Sequence, residues 1–358
     1  MKKKITIFYP YINSFGGIEK LICLLANNID LTLVCYYDKI NIKKFNLKIN
    51  LINLRPKNYF QKILKLKEYF NNNEIKGLPL MWGYKSAFFA YLANVKYYAV
   101  FIADPPSLLS SSNNKSSDSF FIKLRKVISH YIDKKSINEA QVRITITKRN
   151  SLELKRIFSC NFIYFYPGFE NGKIKKFSKS SKNIKLLSIS RLEKSKNIDW
   201  AIKAIDNIKH KYPKIYNKIQ FSIVGTGSYQ LQLKRLVTQR SLENNIFFHG
   251  FISDKIKYNL LKKSHIFLMP AIQGYGIPAL EALAYSNRLL INRESRISEI
   301  LKNSSTICLT DNNFKSFNIK FEKFITKKNH LVKNKFNNLD FPTESEWINS
   351  IYKICNWI

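Results

Sequence analysis

HIFLMPAIQGYGIPALEALA, residues 265–284, holds a complete strand–loop–helix unit. The opening run, HIFLMPA, is apolar and too short for a buried helix, so it reads as a strand buried on both faces. Gly274 and Gly276 then turn the chain into a loop. Pro278 falls near the first turn of a helix, where its missing N–H has no intrahelical partner to lose. That helix is predicted over Ile277–Tyr285, with Glu281 among apolar and small neighbours.

The same alternation extends in both directions. Upstream, IKLLSIS, IQFSIVG and NIFFHG read as strands, and RLLIN follows downstream. Helices fall between them at Asn197–Lys209, Tyr229–Gln239 and Lys255–Lys263. The first half repeats the scheme with KITIFYPYI, LTLVCYY, KINLINL, IKGLPLMWG, YYAVFIA, VRITITK and NFIYFYPG. Its helices are predicted over Ile18–Asn28, Asn58–Phe70 and Phe120–Ala140. Strands alternating with helices predict parallel sheets covered on both faces, here twice. A chain of 358 residues suits two such α/β domains of about 150–200 residues each. The expected organisation is residues 1–168, a Lys-rich linker at 169–182, residues 183–342, and a closing helix at 343–358. A Ser/Asn-rich loop is expected at Ser110–Ser119.

The formal net charge is +36. Such a field attracts anions: nucleic acid, acidic lipid or phosphorylated substrates. Abundant Lys, Ile and Asn also fit drift in AT-rich coding DNA, and the two readings stand side by side. No nucleic-acid-binding motif accompanies the charge. No run reaches the roughly 18 apolar residues of a membrane-spanning helix. The N-terminal MKKKITIFYPYI reads as a first strand rather than a signal peptide, so a cytoplasmic location is expected. The five cysteines are scattered without metal-type spacing, which fits a reducing compartment.

Four places carry chemistry. Gly16 and Gly17 follow the first strand and precede a helix, where backbone can approach an anion closely. A plain tight turn is the competing reading, and the G-x-G-x-x-G spacing of dinucleotide sites is absent. Arg191 and Lys196 follow the first strand of the second half and can hold a diphosphate without a metal. They also read as ordinary surface cations. Gly225, within Val224-Gly-Thr-Gly227, is a turn at a strand's carboxyl end, where open sheets bind ligands or simply turn. In the fourth place, backbone N–H groups around Gly274, Tyr275, Gly276 and Ile277 can cap a phosphate or sugar. There Glu281 can accept two ribose hydroxyls.

In order along the chain, GGIE, YPGFE, S-R-L-x-x-x-K, VGTG, FFHGFISD and GYGIPALEALA together resemble glycosyltransferase family 4. These are retaining enzymes of GT-B fold, with two doubly wound Rossmann-like domains facing a central cleft. The resemblance implies that Arg191 and Lys196 bind the donor diphosphate and that Glu281 holds the ribose. It puts Gly16 and Gly17 near the donor phosphates, Phe251 at the base, and the N–H groups around Ile277 at the distal phosphate. It implies a nucleotide-diphosphate sugar donor, a glycan or lipid-linked acceptor, no cofactor, no metal and no nucleic acid. Two departures stand out. Gln273 occupies the position of the family's first glutamate and cannot ionise. The family's first-domain His is missing, with Asp104 the nearest polar residue, equally a turn residue before Pro105. His249 reads as structural. The basic amphipathic segments Asn58–Phe70 and Phe120–Lys135 either pack on the sheet or lie on an anionic membrane surface, the inner face of the plasma membrane. The expected activity is hexosyl transfer in bacterial surface polysaccharide assembly, such as lipopolysaccharide, O-antigen or capsule. A nucleotide-sugar epimerase of the same fold, a nucleic-acid-binding protein and a non-catalytic transferase relative are the alternatives.

Overall fold

The computed structural model describes residues 3–13, 15–105, 120–168, 182–285, 287–301, 306–326 and 342–358. The expected loop at Ser110–Ser119, and all of the expected linker except Lys182, lie outside them. The chain forms two units, Met1–Gly168 with Pro342–Ile358, and Phe169–Phe341.

In the first unit the strands are β1 (Ile5–Phe8), β2 (Tyr11–Ile12), β3 (Leu31–Cys35), β4 (Tyr37–Asp38), β5 (Asn50–Asn53), β6 (Leu80–Trp82), β7 (Ala99–Ile102), β8 (Val142–Thr145) and β9 (Ile163–Tyr164). Seven of them form one sheet in the order β5-β3-β1-β6-β7-β8-β9. Every pairing in it is parallel. β1, β3 and β7 are buried along their whole length, which is why they read as unbroken apolar runs. The run KITIFYPYI, expected as one strand, is two. Pro10 has no N–H for the ladder, and the chain resumes as β2, which pairs with β4 in a separate ribbon.

The helix Glu344–Ile354 completes this unit. Thr343 caps it, accepting from Glu346 N at 3.0 Å while the Glu346 carboxylate accepts from Thr343 N at 2.8 Å. Trp347 meets Phe101 edge-on with ring centroids 6.2 Å apart. Tyr352 donates to Leu25 O at 2.5 Å, and Trp357 Nε1 donates to Leu78 O at 2.9 Å. Gly77, at φ +65°, runs so close beneath the chain end that a Cβ would stand 2.2 Å from Cys355 O.

The second unit contains β10 (Ile184–Ile189), β11 (Ile219–Val224), β12 (Ile246–Gly250), β13 (Ile266–Met269), β14 (Arg288–Asn292) and β15 (Ile307–Thr310). They pair in parallel in the order β12-β11-β10-β13-β14-β15. The helix Ile198–Lys211 buries Ile198, Ala201, Ile202, Ile205 and Ile208, a 3.6-residue stripe that packs with Phe221, Phe317 and Phe321 in one core. Chain order reverses at β10, so the loops leaving β10 and β13 diverge at their carboxyl ends. This is the switch point at which doubly wound sheets open a crevice for ligand.

Candidate active site

Because the second sheet is wholly parallel, the loops that follow its strands emerge at one edge. Arg191 lies two residues past β10, Gly225 directly past β11, Phe251 directly past β12, and Gln273–Ile277 past β13. The predicted residues of this unit therefore share the carboxyl edge, although they come from four separate stretches of sequence.

Lys196 ends a short 3-10 turn, Lys194–Lys196, and its Nζ donates to Gln273 Oε1 at 2.9 Å. The bond joins the loops on either side of the switch point. Gln273 is fixed from behind: its N–H donates to Ser295 Oγ at 3.1 Å, and Ser295 Oγ donates to Ala271 O at 3.2 Å. Arg191 pairs with Glu193 at 2.8 Å and is 64% exposed, so its guanidinium stays open to solvent and to a ligand.

Gly225 shapes the Arg191 loop. Its φ is +126°, and a Cβ there would stand 1.9 Å from Ser190 O. Backbone bonds join the two loops on both sides, Ser190 N to Val224 O at 3.1 Å and Leu192 N to Thr226 O at 2.8 Å. The VGTG turn thus packs backbone against backbone on the segment carrying Arg191.

The helix Ile277–Ala284 starts at Gly276, whose φ of +83° is left-handed, with Pro278 in its first turn. Its N-terminus faces the same loop as Gln273, and its dipole favours negative charge there. Tyr275 is buried beside it. Glu281 is 9% exposed, a buried acid rather than a solvated one. Its Oε1 accepts from Lys257 Nζ at 3.2 Å, and Lys257 also pairs with Asp254 at 2.7 Å. Burial works against the Lys257 ammonium, but Glu281 and Asp254 outweigh it and raise the pKa. Sequence reading missed Lys257 and Ser295, whose bonds to Glu281 and Gln273 span more than twenty residues with no motif to link them. Phe251 is 71% exposed, a free aromatic face at the sheet edge. His249 Nε2 meets Ser222 Oγ at 3.0 Å, and burial lowers its pKa.

In the first unit, Gly16 caps the helix Gly17–Leu25. Its N–H donates to Glu19 Oε2 at 2.9 Å, and Tyr9 donates to Glu19 Oε1 at 3.2 Å. The Glu19 carboxylate therefore occupies the favourable anion position at this helix start. Asp104 lies past β7, at the carboxyl edge of its sheet, and its carbonyl accepts from Tyr84 at 3.4 Å. Among the described residues no three His, Cys, Asp or Glu side chains cluster as metal ligands, and no helix is long and apolar enough to cross a membrane.

Residues 170–338 match the family model of the group 1 glycosyl transferases. An uncharacterized glycosyltransferase of Methanocaldococcus jannaschii, MJ1607, is 25% identical over 118 residues, covering 33% of this chain and 29% of that protein. The amylovoran biosynthesis glycosyltransferase AmsK of Erwinia amylovora is 24% identical over 128 residues, covering 34% and 30%. The matches thus span under a third of these two relatives. Solved structures align over nearly the whole chain. Anabaena HepE in complex with UDP gives a TM-score of 0.69 at 14% identity, covering 98% of this chain and 95% of that one. WaaG, a glycosyltransferase involved in lipopolysaccharide biosynthesis, gives 0.70 at 12% identity, covering 98% and 99%. The fold is GT-B, two doubly wound α/β domains on one chain.

Proposed function

We propose that this protein is a retaining glycosyltransferase that moves a hexosyl group from a nucleotide-diphosphate sugar to a glycan or lipid-linked acceptor in bacterial surface polysaccharide assembly. The observation that carries the reading is the Lys196–Gln273 bond at the switch point of the second sheet, with Arg191 exposed on the same loop after β10 as Lys196 and a helix starting from the loop that holds Gln273. The group 1 match over this unit, and relatives named for amylovoran and lipopolysaccharide biosynthesis, support it. HepE binds UDP, which makes uridine nucleotides the first donors to test.

In this reading Arg191 and Lys196 hold the diphosphate and do the neutralising that a metal does elsewhere. Glu281 accepts the ribose hydroxyls, Phe251 covers the base, and the N–H groups from Gly274 to Ile277 cap the distal phosphate and the sugar. The bond from the sugar's anomeric carbon to the diphosphate oxygen breaks, and a bond to the acceptor oxygen forms on the same face. The acceptor's proton passes to the departing diphosphate, so no enzymic base is needed. Gln273 orients the sugar and Lys196 by hydrogen bonds from a side chain that itself carries no charge.

Peripheral contact with an anionic membrane belongs to the same proposal. On the helix Tyr59–Asn72, Phe60 and Leu64 are 67% and 45% exposed, one turn apart, among several lysines. Incubation with uridine diphosphate hexoses, with and without glycan acceptors, tests the activity. The expected result is acceptor-dependent release of UDP and an anomeric proton coupling unchanged from donor to product. A sugar altered without acceptor would instead favour an epimerase.

A further inference from the structure

The carboxyl edge of the first sheet carries a group of side chains that the donor site does not use. Tyr11 and Tyr37 are register partners on β2 and β4, and their rings stack at 6.4 Å with 11° between planes. Tyr59 opens the helix Tyr59–Asn72 and tilts against Phe89 at 5.6 Å. Lys62, one turn further on, brings its Nζ to 5.4 Å from the Tyr11 ring, 5.7 Å from Tyr59 and 5.9 Å from Phe89. Lys85, in the first turn of the helix Tyr84–Leu92, brings a second ammonium to 5.7 Å from the same Tyr11 ring.

Neither ammonium has an ion-pair partner among the described residues. Two acids nearby in sequence are engaged by other groups. Asp38 accepts from Ile40 N at 3.0 Å and Ile42 N at 2.7 Å, and Glu19 from Gly16 and Tyr9. Aromatic faces offset part of the cost of an unpaired cation. Two cations gathered on one ring also repel each other, and an anion between or beside them relieves that repulsion. Tyr37 and Tyr59 remain 38% and 51% exposed, so aromatic surface is open next to the charges. A flat aromatic platform suits the C–H face of a sugar ring, and the ammoniums suit an anion attached to it.

We propose that Tyr11, Tyr37, Tyr59, Lys62 and Lys85 bind a glycan that carries a phosphate or carboxylate, and that this anionic glycan is the acceptor. Calling it the acceptor rests on the transferase reading; that it binds here does not. The test is titration calorimetry on the wild type, on Lys62→Met/Lys85→Met and on Lys62→Arg/Lys85→Arg. The probes are a farnesyl-diphosphate-linked hexose, a uronate-containing tetrasaccharide and its carboxyl-reduced neutral counterpart, with UDP titrated in parallel. One of the two anionic probes should bind the wild type, the neutral one at least about tenfold more weakly. The methionine pair should lose that preference, the arginine pair should keep it, and all three proteins should bind UDP alike. The probe that binds identifies the anion's source. Equal binding of charged and neutral tetrasaccharides, unchanged binding by the methionine pair, or no binding of any glycan would overturn the proposal. Absence of UDP binding in all three proteins would count against the donor site and leave this result readable.

Discussion

Lys196 Nζ donates to Gln273 Oε1 at 2.9 Å, across the switch point of the second sheet. Gln273 carries no charge, so it holds the ammonium by a hydrogen bond without setting a carboxylate against it; in the proposed donor site that ammonium faces the diphosphate. Gln273→Glu would set a carboxylate on that ammonium. Affinity for a nucleoside diphosphate is expected to fall about tenfold, near 1.4 kcal/mol, read by titration calorimetry. Unchanged or tighter binding would mean that Lys196 does not face the phosphates.

Gly225→Ala tests how the Arg191 loop is built. The new Cβ meets Ser190 O at 1.9 Å from a backbone at φ +126°, so both contact and conformation oppose it. A loss of roughly 2 kcal/mol or more in urea unfolding is expected, with weakened diphosphate binding in the protein that remains folded. A stability within about 0.5 kcal/mol of wild type would contradict the close backbone packing.

Lys257→Met leaves Glu281 and Asp254 without their cation. The Lys257 and Glu281 side chains are only 14% and 11% exposed, so destabilisation of roughly 3 kcal/mol is expected. The folded state raises the Lys257 pKa above its ordinary 10.5. The pair's contribution is therefore fully present below that value and lost only as pH rises through the higher folded pKa. The gap between wild type and variant should stay flat from about pH 6 to 9. Glu281→Gln in the Lys257→Met background should restore part of the loss, because it removes the buried carboxylate that Lys257 offset.

Asp133, on the helix Phe120–Asn138, carries a carboxyl that burial pushes up to about 6, with His130 opposing. A carboxyl raised in the folded state favours folding while protonated, and that advantage fades as pH rises from about 4 through 6. Asp133→Asn should stabilise the protein at pH 8 by on the order of 1 kcal/mol, once residual hydration of the carboxyl is allowed for. The gain should shrink towards zero near pH 4. Thermal unfolding at the two pH values reads the difference, and an equal effect at both would exclude the buried-carboxyl explanation.

The sheet was legible because parallel strands are buried on both faces, and IKLLSIS, IQFSIVG and HIFLMPA accordingly read as apolar runs. The glycine turns were legible too, since Gly225 and Gly276 adopt positive φ. Their consequence was not: that Gly225 lies on Ser190 O depends on two loops thirty-five residues apart meeting at one edge. Pro10 shows the limit within one run, where a single missing N–H divides an otherwise continuous strand. Arg191 and Lys196 were singled out by residue type after a strand end, Glu281 by its apolar neighbours inside the following helix, and Gln273 only through the family resemblance. Lys257 sits on a helix with an ordinary basic pattern, and nothing local marks it as Glu281's partner. The cluster of Tyr11, Tyr37, Tyr59, Lys62 and Lys85 draws on four segments and exists only in the fold.

The most direct measurement is thermal unfolding with nucleoside diphosphates and their hexosyl derivatives, on wild type and on Arg191→Ala. A ligand that binds only the folded protein raises its melting temperature by mass action. A rise is expected with one nucleotide class, lost in Arg191→Ala, whose unliganded melting temperature stays at the wild-type value because Arg191 is largely exposed. No rise with any nucleotide, or an equal rise in the variant, would contradict a donor site at the carboxyl edge of the second sheet.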